Sequence, residues 1–521
     1  MKMPVIRRQS TMLTLTLLVL GGLLWFYGYE FSEPTIQIDD AYISYRYAQN
    51  LVDGHGLVYN LGERVEGYTN LLWTLLAAGG IALGAGASQV GHWLGFASGI
   101  FLLLATYFYS RCLLPRDMKW VALGAPILLY ASNSFACWTI SGLETPLFAA
   151  FVTAAMTAFV VGRIGWVLAF CILASLTRPE GALLAAMLLG LDWLRQLATQ
   201  RPKRVVELLR LSLPCLTYGL FIFGLTAFRI VYYGDVLPNT FYAKTGGIPL
   251  SYGPAYIYRF LVDGALFLLV PALIALRCKA YHIGFAFLLL IAVYLMAVGG
   301  DVFSHGRFLL PVLPILIAGA LLGITEVTKA SRKAGALVAL AVPAFVLCSL
   351  YSMWPRNTDF PETLEVASAL PHSVKRESVK VPSLPLSEPF FEAQVAKLRE
   401  LDPPAKLVAA IGIGQIGYFG REMTILDLVG LTDRHIARSR EEVQGSLVLP
   451  GHQKSDANYV FSRRPDVIYI PRIGEAALLP TALSLHSDPR LLQEYQWNDH
   501  LAAYVRRSEL RMLPNGAKDP N

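Results

Sequence analysis

The sequence predicts a polytopic α-helical membrane protein with a C-terminal α/β domain outside the bilayer, and three observations lead there. Of 521 residues, 16% are charged and 55% hydrophobic, against roughly a quarter charged in soluble domains. Apolar runs of spanning length, about 17–25 residues, recur between residues 11 and 354. After Pro355 the runs shorten to strand length while Arg, Glu, Pro and Ser rise. The expected division is a membrane domain over 1–355 and a soluble domain over 356–521.

The first apolar run, 11–29, follows Lys2, Arg7 and Arg8 and is not followed by a small-x-small cleavage site. It reads as a retained signal anchor with its N-terminus inside. Basic clusters then set the sidedness: Arg111/Arg116/Lys119, Arg163, Arg195 through Arg210, Arg277/Lys279 and Lys329/Arg332/Lys333 read as cytoplasmic. That choice makes 29–89 a first external loop, with "TNLLWTLLAAGGIALGA" (69–85) as a juxtamembrane or re-entrant helix. Further spans are expected near 90–110, 119–137, 142–161, 163–177, 180–195, 211–233, 260–277, 281–299, 307–325 and 335–354. The total is about eleven, an odd count, which places the C-terminal domain outside. A bacterial inner or plasma membrane location follows.

All six cysteines lie in the membrane half, so the exported domain must hold itself by its core rather than by disulfides. The net charge of +7 is accounted for by the positive-inside loops, which removes the case for nucleic-acid binding.

With that sidedness, polar motifs collect on the outer side: "IDDAYISYRYAQNLVDGHGLVYNLGERVEGYTN" (38–70), "SGLETP" (141–146), "LTRPEG" (176–181), "YYGDVLPNTFYAK" (232–244) and "GGDVFSHGRF" (299–308). Ionisable residues at membrane depth are costly and mark sites, so a cavity opening outward is expected. Asp39 and Asp40 are candidate bases for taking a proton from an alcohol. Asp39 is also a plausible cap for the helix behind it, which tilts the choice of base to Asp40. Tyr42 and Tyr45 are candidates to line the sugar or acceptor site. Glu66 reads either as a second carboxylate or as the partner of Arg64 or another arginine. Glu144 reads as a substrate contact or as a cap and dipole compensation for the helix that starts beside it. Arg178, Lys244 and Arg307 stand against the positive-inside bias and suit a phosphate; the competing reading pairs them with Glu180, Asp235 and Asp301. Glu180, Asn239, Asp301 and His305 complete the candidate substrate contacts, with a plain loop role as the alternative for His305.

External acids, external cations and apolar helices together suggest glycosyl transfer from a polyprenyl-phosphate sugar, since no nucleotide is available outside. The competing classes are a transporter or flippase of lipid-linked sugars and a non-catalytic polysaccharide-binding protein. A transporter predicts inverted repeats and charges at the bilayer midplane, and the chain displays neither pattern.

The motif from "IDDAYISYRYAQ" to "GYTNLLW", with "SGLETPLF", "LTRPEG", "YYGDVLPNTFYAK", "GGDVFSHGRFLLP" and "DLVGLTD", resembles the GT-C superfamily of glycosyltransferases. It looks most like the branch holding terminal β-(1→2)-arabinofuranosyltransferases and pilin arabinosyltransferases. The resemblance implies that Asp39 or Asp40 deprotonates the acceptor hydroxyl in an inverting displacement, with Glu66 as second carboxylate. It implies a polyprenyl-phosphate sugar as donor and a glycan, glycolipid or protein as acceptor. No cofactor is firmly implied; metal use varies across the superfamily, no ligand cluster is evident in the sequence, and a divalent cation stays open.

The soluble domain contains Gly412, Gly414 and Gly417 in a G-x-G-x-x-G spacing after an apolar strand, the pattern of a dinucleotide site. Only about six residues are left for the helix before the next strand near Met423, where a Rossmann unit needs ten or more. The glycines are therefore expected to make tight turns. His452 and Asp433 are expected as carbohydrate contacts.

Overall fold

The computed structural model describes residues 21–22, 37–245, 250–303, 305–331, 388–440, 443, 449–473 and 479–508. The expected spans at 11–29 and 335–354 and the 355/356 boundary lie outside the described residues. The chain divides into two units. One takes Met1–Thr35, Gly91–Gly224 and Gly253–Phe360; the other takes Ile36–Val90, Leu225–Tyr252 and Pro361–Asn521.

The first unit is helical. Among the described residues, five helices are long and apolar enough to cross a membrane: Ala87–Leu113, Gly181–Gln200, Val205–Tyr233, Lys279–Val298 and Arg307–Ala330. Two further pairs bend sharply, Lys119–Tyr130 with Asn133–Ile140 at 62° and Tyr252–Asp263 with Leu266–Arg277 at 93°. Thr145–Val160 and Ile164–Thr177 are apolar but short, with 16 and 14 residues. At 1.5 Å per residue they reach about 24 and about 21 Å, less than the ~30 Å of a hydrocarbon core. Each expected span within the described residues thus has a helical counterpart, as a full helix, a bent pair or a short helix. Among the described residues, length and composition allow up to seven crossings, if each bent pair is one span. Hydropathy reads through the breaks because the helices on either side of them are apolar. Packing differs sharply among the long helices. Arg307–Ala330 is 89% buried over its most apolar window, whereas Val205–Tyr233 is 6% buried and exposes Leu213, Leu220 and Phe223. An apolar surface of that kind suits lipid rather than water.

The second unit is an α/β sandwich in which the first loop packs with the C-terminal region. Five strands, β1 (Leu407–Ala410), β2 (Thr424–Asp427), β3 (Val467–Tyr469), β4 (Tyr495–Asn498) and β5 (Ala503–Arg506), lie in the order β2-β1-β3-β5-β4. β1 runs parallel to β2 and β3, while β5 is antiparallel to β3 and β4. Side chains alternate between the faces as pleating requires. Val408, Ala410, Ile425 and Val467 point to one core, and Ala409, Leu426 and Ile468 to the other. The first core includes Ile43, Tyr47, Tyr59 and Tyr68 of the first loop. The Tyr-rich segment is therefore one layer of this domain.

Four short elements carry the polar chemistry of this unit: α1 (Asp39–Val52), α2 (Asn239–Lys244), α3 (Gly414–Phe419) and α4 (Arg434–Ala437). Arg46 of α1 is 1% exposed. It donates from Nε to Tyr59 O at 2.7 Å, and from its terminal nitrogens to Gly417 O at 2.8 Å, Met423 O at 2.9 Å and Asn60 Oδ1 at 3.1 Å. Asn60 exchanges bonds of 2.9 and 3.0 Å with the backbone of Ile425 in β2. A buried guanidinium with this many acceptors is a clamp, holding the first loop to the sheet across more than 360 residues of sequence.

Candidate functional site

The two acids of the first loop have unlike surroundings. Helix α1 begins at Asp39, and its N-cap position, Ile38, supplies no side-chain bond. Asp39 therefore does not cap α1, contrary to the capping expectation. Its carboxylate instead accepts the backbone N–H of Gly414 at 2.9 Å and of Gln415 at 2.7 Å. Burial pushes Asp39 up to about 6, against the pull of those two amides, and Asp40 beside it adds to the rise. Asp40 is half-buried in the same first turn.

This contact explains the glycine motif. A Cβ on Gly414 would overlap the backbone oxygen of Asp39, and one on Gly417 would overlap the Tyr59 hydroxyl. None of the three glycines has a left-handed backbone; what Gly414 and Gly417 provide is close approach. Helix α3 has six residues, which agrees with rejecting a nucleotide fold. The amides that would meet a pyrophosphate in such a fold here meet an aspartate.

Tyr42 and Tyr45, expected along the sugar or acceptor site, are both fully buried. Tyr42 packs edge-on against Tyr45 at 5.3 Å and Tyr418 at 5.7 Å, and Tyr45 donates to Gln37 Oε1 at 2.7 Å. Their surfaces are spent on protein. Glu66 is 5% exposed and receives Nε of Arg229 on both oxygens, at 3.0 and 2.9 Å. Burial raises its carboxyl, and Arg229 pulls the other way. Asn239 donates to the carbonyls of Gly430, Leu431 and Asp433 at 2.8–3.1 Å, so it holds the "DLVGLTD" loop. Within that loop Asp427 accepts three backbone amides, and burial pushes it up to about 6. Asp433 caps α4 through His435 N and Ile436 N. Lys244 ends α2 in an exposed position, and its carbonyl accepts from Gln453 at 3.0 Å. His452 is half-buried, with Nδ1 3.4 Å from Pro450 O.

In the helical unit five other candidates meet in one network. Arg178 donates to Glu144 at 2.7 Å and, through two nitrogens, to Glu180 at 3.2 and 3.0 Å. Arg307 donates to Glu144 at 3.3 Å and stands 3.6 Å from Asp301. Tyr294 donates to Glu180 at 3.1 Å. All five charged side chains are 11% exposed or less. Glu144 makes no side-chain cap on the helix Thr145–Val160; its charge goes to the arginines. These residues come from helix ends at 144, 178–180, 301 and 307, so three of the five polar motifs picked out in the sequence meet in this network. Asp235, expected as the partner of Lys244, pairs instead with Arg438 at 2.7 Å and Arg434 at 3.6 Å. His305 takes a left-handed backbone, φ 59°, and its carbonyl accepts from Trp138 at 3.1 Å. Among the described residues no three His, Cys, Asp or Glu side chains cluster as metal ligands do.

Sequence reading missed Arg46 and Arg229. The available signal was their setting: an arginine within a tyrosine run, and one near the outer end of an apolar helix, each needs a partner.

In sequence the chain is similar to an arabinofuranosyltransferase. In particular, it is 30% identical over 246 residues to the terminal β-(1→2)-arabinofuranosyltransferase of Mycobacterium tuberculosis (strain ATCC 25618 / H37Rv), a match covering 43% of this chain. The chain spans 37% of that relative's length. Residues 388–512 match a family described as a domain of unknown function, DUF8728. Among solved structures, the Archaeoglobus fulgidus oligosaccharyltransferase, crystallised with zinc and sulfate, overlaps with a TM-score of 0.45 at 13% identity, covering 80% of this chain and 62% of its own.

Proposed function

We propose that this chain is an inverting, GT-C-type glycosyltransferase that moves a sugar, arabinofuranose, from a polyprenyl-phosphate donor to a hydroxyl of a cell-envelope glycan, glycolipid or protein. It works on the outer face of a bacterial inner membrane. The observation that carries the reading is the acid pair at the start of α1, within a chain whose sequence likeness is to an arabinofuranosyltransferase. Asp40 is the base. It takes the acceptor's hydroxyl proton while that oxygen attacks the anomeric carbon; the bond to the phosphate oxygen breaks, and polyprenyl phosphate leaves with the electron pair. Asp39 is a positioning residue. Its two backbone amides fix the first turn of α1 and hence the bearing of Asp40.

Arg178, Lys244 and Arg307 are proposed for the donor phosphate. The guanidinium of Arg178 is already shared by Glu144 and Glu180, so its part is to hold the network that orients Arg307. Glu66, Tyr42, Tyr45 and Asn239 act by supporting the loops rather than by touching sugar. The test is transfer by the purified chain in nanodiscs from a panel of radiolabelled polyprenyl-phosphate sugars. Product from the arabinofuranose donor, above that from the mannose and glucose donors, is expected. Donor rearrangement across the bilayer without covalent product contradicts the reading.

A further inference from the structure

The C-terminal region has a cleft of about 560 Å³ whose walls include Arg434, His435, Arg438, Arg440, Asp456 and Asn458. All of these lie within the stretch that matches the domain of unknown function, and none has a part in the reaction above. The size falls in the range of small-molecule sites, about 300–1,000 Å³.

Its cations are held in place. Arg438 donates to Asp235 at 2.7 Å and to Asn239 at 3.1 Å, and its guanidinium lies 4.0 Å over the ring of Tyr242. Arg434 donates to the carbonyl of Tyr233 at 2.5 Å and stands 3.6 Å from Asp235. His435 stacks on Tyr459 at 4.0 Å and bonds Asp456 at 2.8 Å. One carboxylate thus offsets two guanidiniums, and the other is committed to the histidine. Arg440 adds a third guanidinium from an exposed position. Burial, and after it the charge of Arg440, pulls the Lys454 ammonium below its usual range.

We propose that this cleft is a binding site for a phosphate ester of a small saccharide. Preoriented guanidiniums give phosphate oxygens paired, charge-assisted hydrogen bonds that a sugar hydroxyl cannot match. Asp456, which already accepts from His435 and Tyr459 N, and Asn458, which already accepts from Arg490, meet sugar hydroxyls with the remaining lone pairs of those oxygens. The phosphate reaches the cleft either on a lipid headgroup or on a soluble or glycan-borne ester. The site does not rest on the transferase reading, because occupancy is measured without turnover.

The experiment is calorimetric titration of the full chain in nanodiscs with ribose 5-phosphate at low salt, with ribose and inorganic phosphate as comparisons. Saturable binding of ribose 5-phosphate, weaker binding of phosphate and none of ribose are expected. Arg440→Gln, a surface change with little folding risk, weakens binding about tenfold, and the Arg434→Gln/Arg438→Gln pair abolishes it. Competition by polyprenyl phosphate in the nanodisc assigns the lipid source; its absence assigns the soluble or glycan-borne one. No saturation below about 10 mM, or unchanged affinity in Arg440→Gln, overturns the proposal.

Discussion

Buried charge is handled in two ways, and the α/β unit uses both: Glu66 there pairs with Arg229, while Asp39 is held differently. In the helical unit, Glu144, Glu180 and Asp301 meet Arg178 and Arg307, charge against charge. In the α/β unit, Asp39 meets two backbone amides and no cation at that carboxylate. The first arrangement fixes ionisation because each charge stabilises the other. The second holds geometry while leaving the acid able to titrate near neutrality. A network of ion pairs suits a scaffold, and an amide-clamped acid suits a place where the helix start must be aimed.

The largest effect is expected from breaking the ion network. Arg178→Met leaves Glu144 and Glu180 buried without their principal partner and costs about 3–5 kcal/mol. Thermal unfolding in detergent measures it, and Glu144→Gln/Glu180→Gln in the same background recovers most of the loss. Full stability in Arg178→Met alone would remove the contrast between the two arrangements. Next, Gly414→Ala forces a methyl against the backbone of Asp39 and costs about 1–3 kcal/mol. The change is confined to the α/β unit and is read by proteolysis of the C-terminal region.

A further effect is on pH. Asp39 and Asp427 are both pushed up to about 6 in the fold, against about 3.9 unfolded. The folded state therefore binds more protons than the unfolded state between those values. The stability these groups contribute is fully present below about 4 and is lost as pH rises through about 6. Denaturation midpoints across that window fall with pH in the parent chain and fall less steeply in Asp427→Asn. An unchanged slope there contradicts the burial effect.

Much of this organisation is written locally. Spanning runs and the too-short helix after the G-x-G-x-x-G need only periodicity and spacing, and the described helices follow them. Local pattern also gathered Glu144, Arg178, Glu180, Asp301 and Arg307, because helix ends on one side of a bundle converge. The amide clamp on Asp39 was out of reach, since Gly414 lies 375 residues away and its amides look free in sequence. The same distance hid the role of Arg46, which reads as one more charge among tyrosines. Capping readings for Asp39 and Glu144 failed for a related reason: a local bond is the default for an acid at a helix start, and a tertiary partner replaced it in both.

The most direct measurement compares Asp39→Asn with Asp40→Asn in the arabinofuranose transfer assay, with folding checked by size exclusion. Loss of the base lowers kcat by about 10²–10⁴-fold in Asp40→Asn with KM for the acceptor little changed. Asp39→Asn retains measurable turnover, lowered because one of its two amide bonds is lost. Wild-type kcat in folded Asp40→Asn, or complete loss confined to Asp39→Asn, contradicts the assignment.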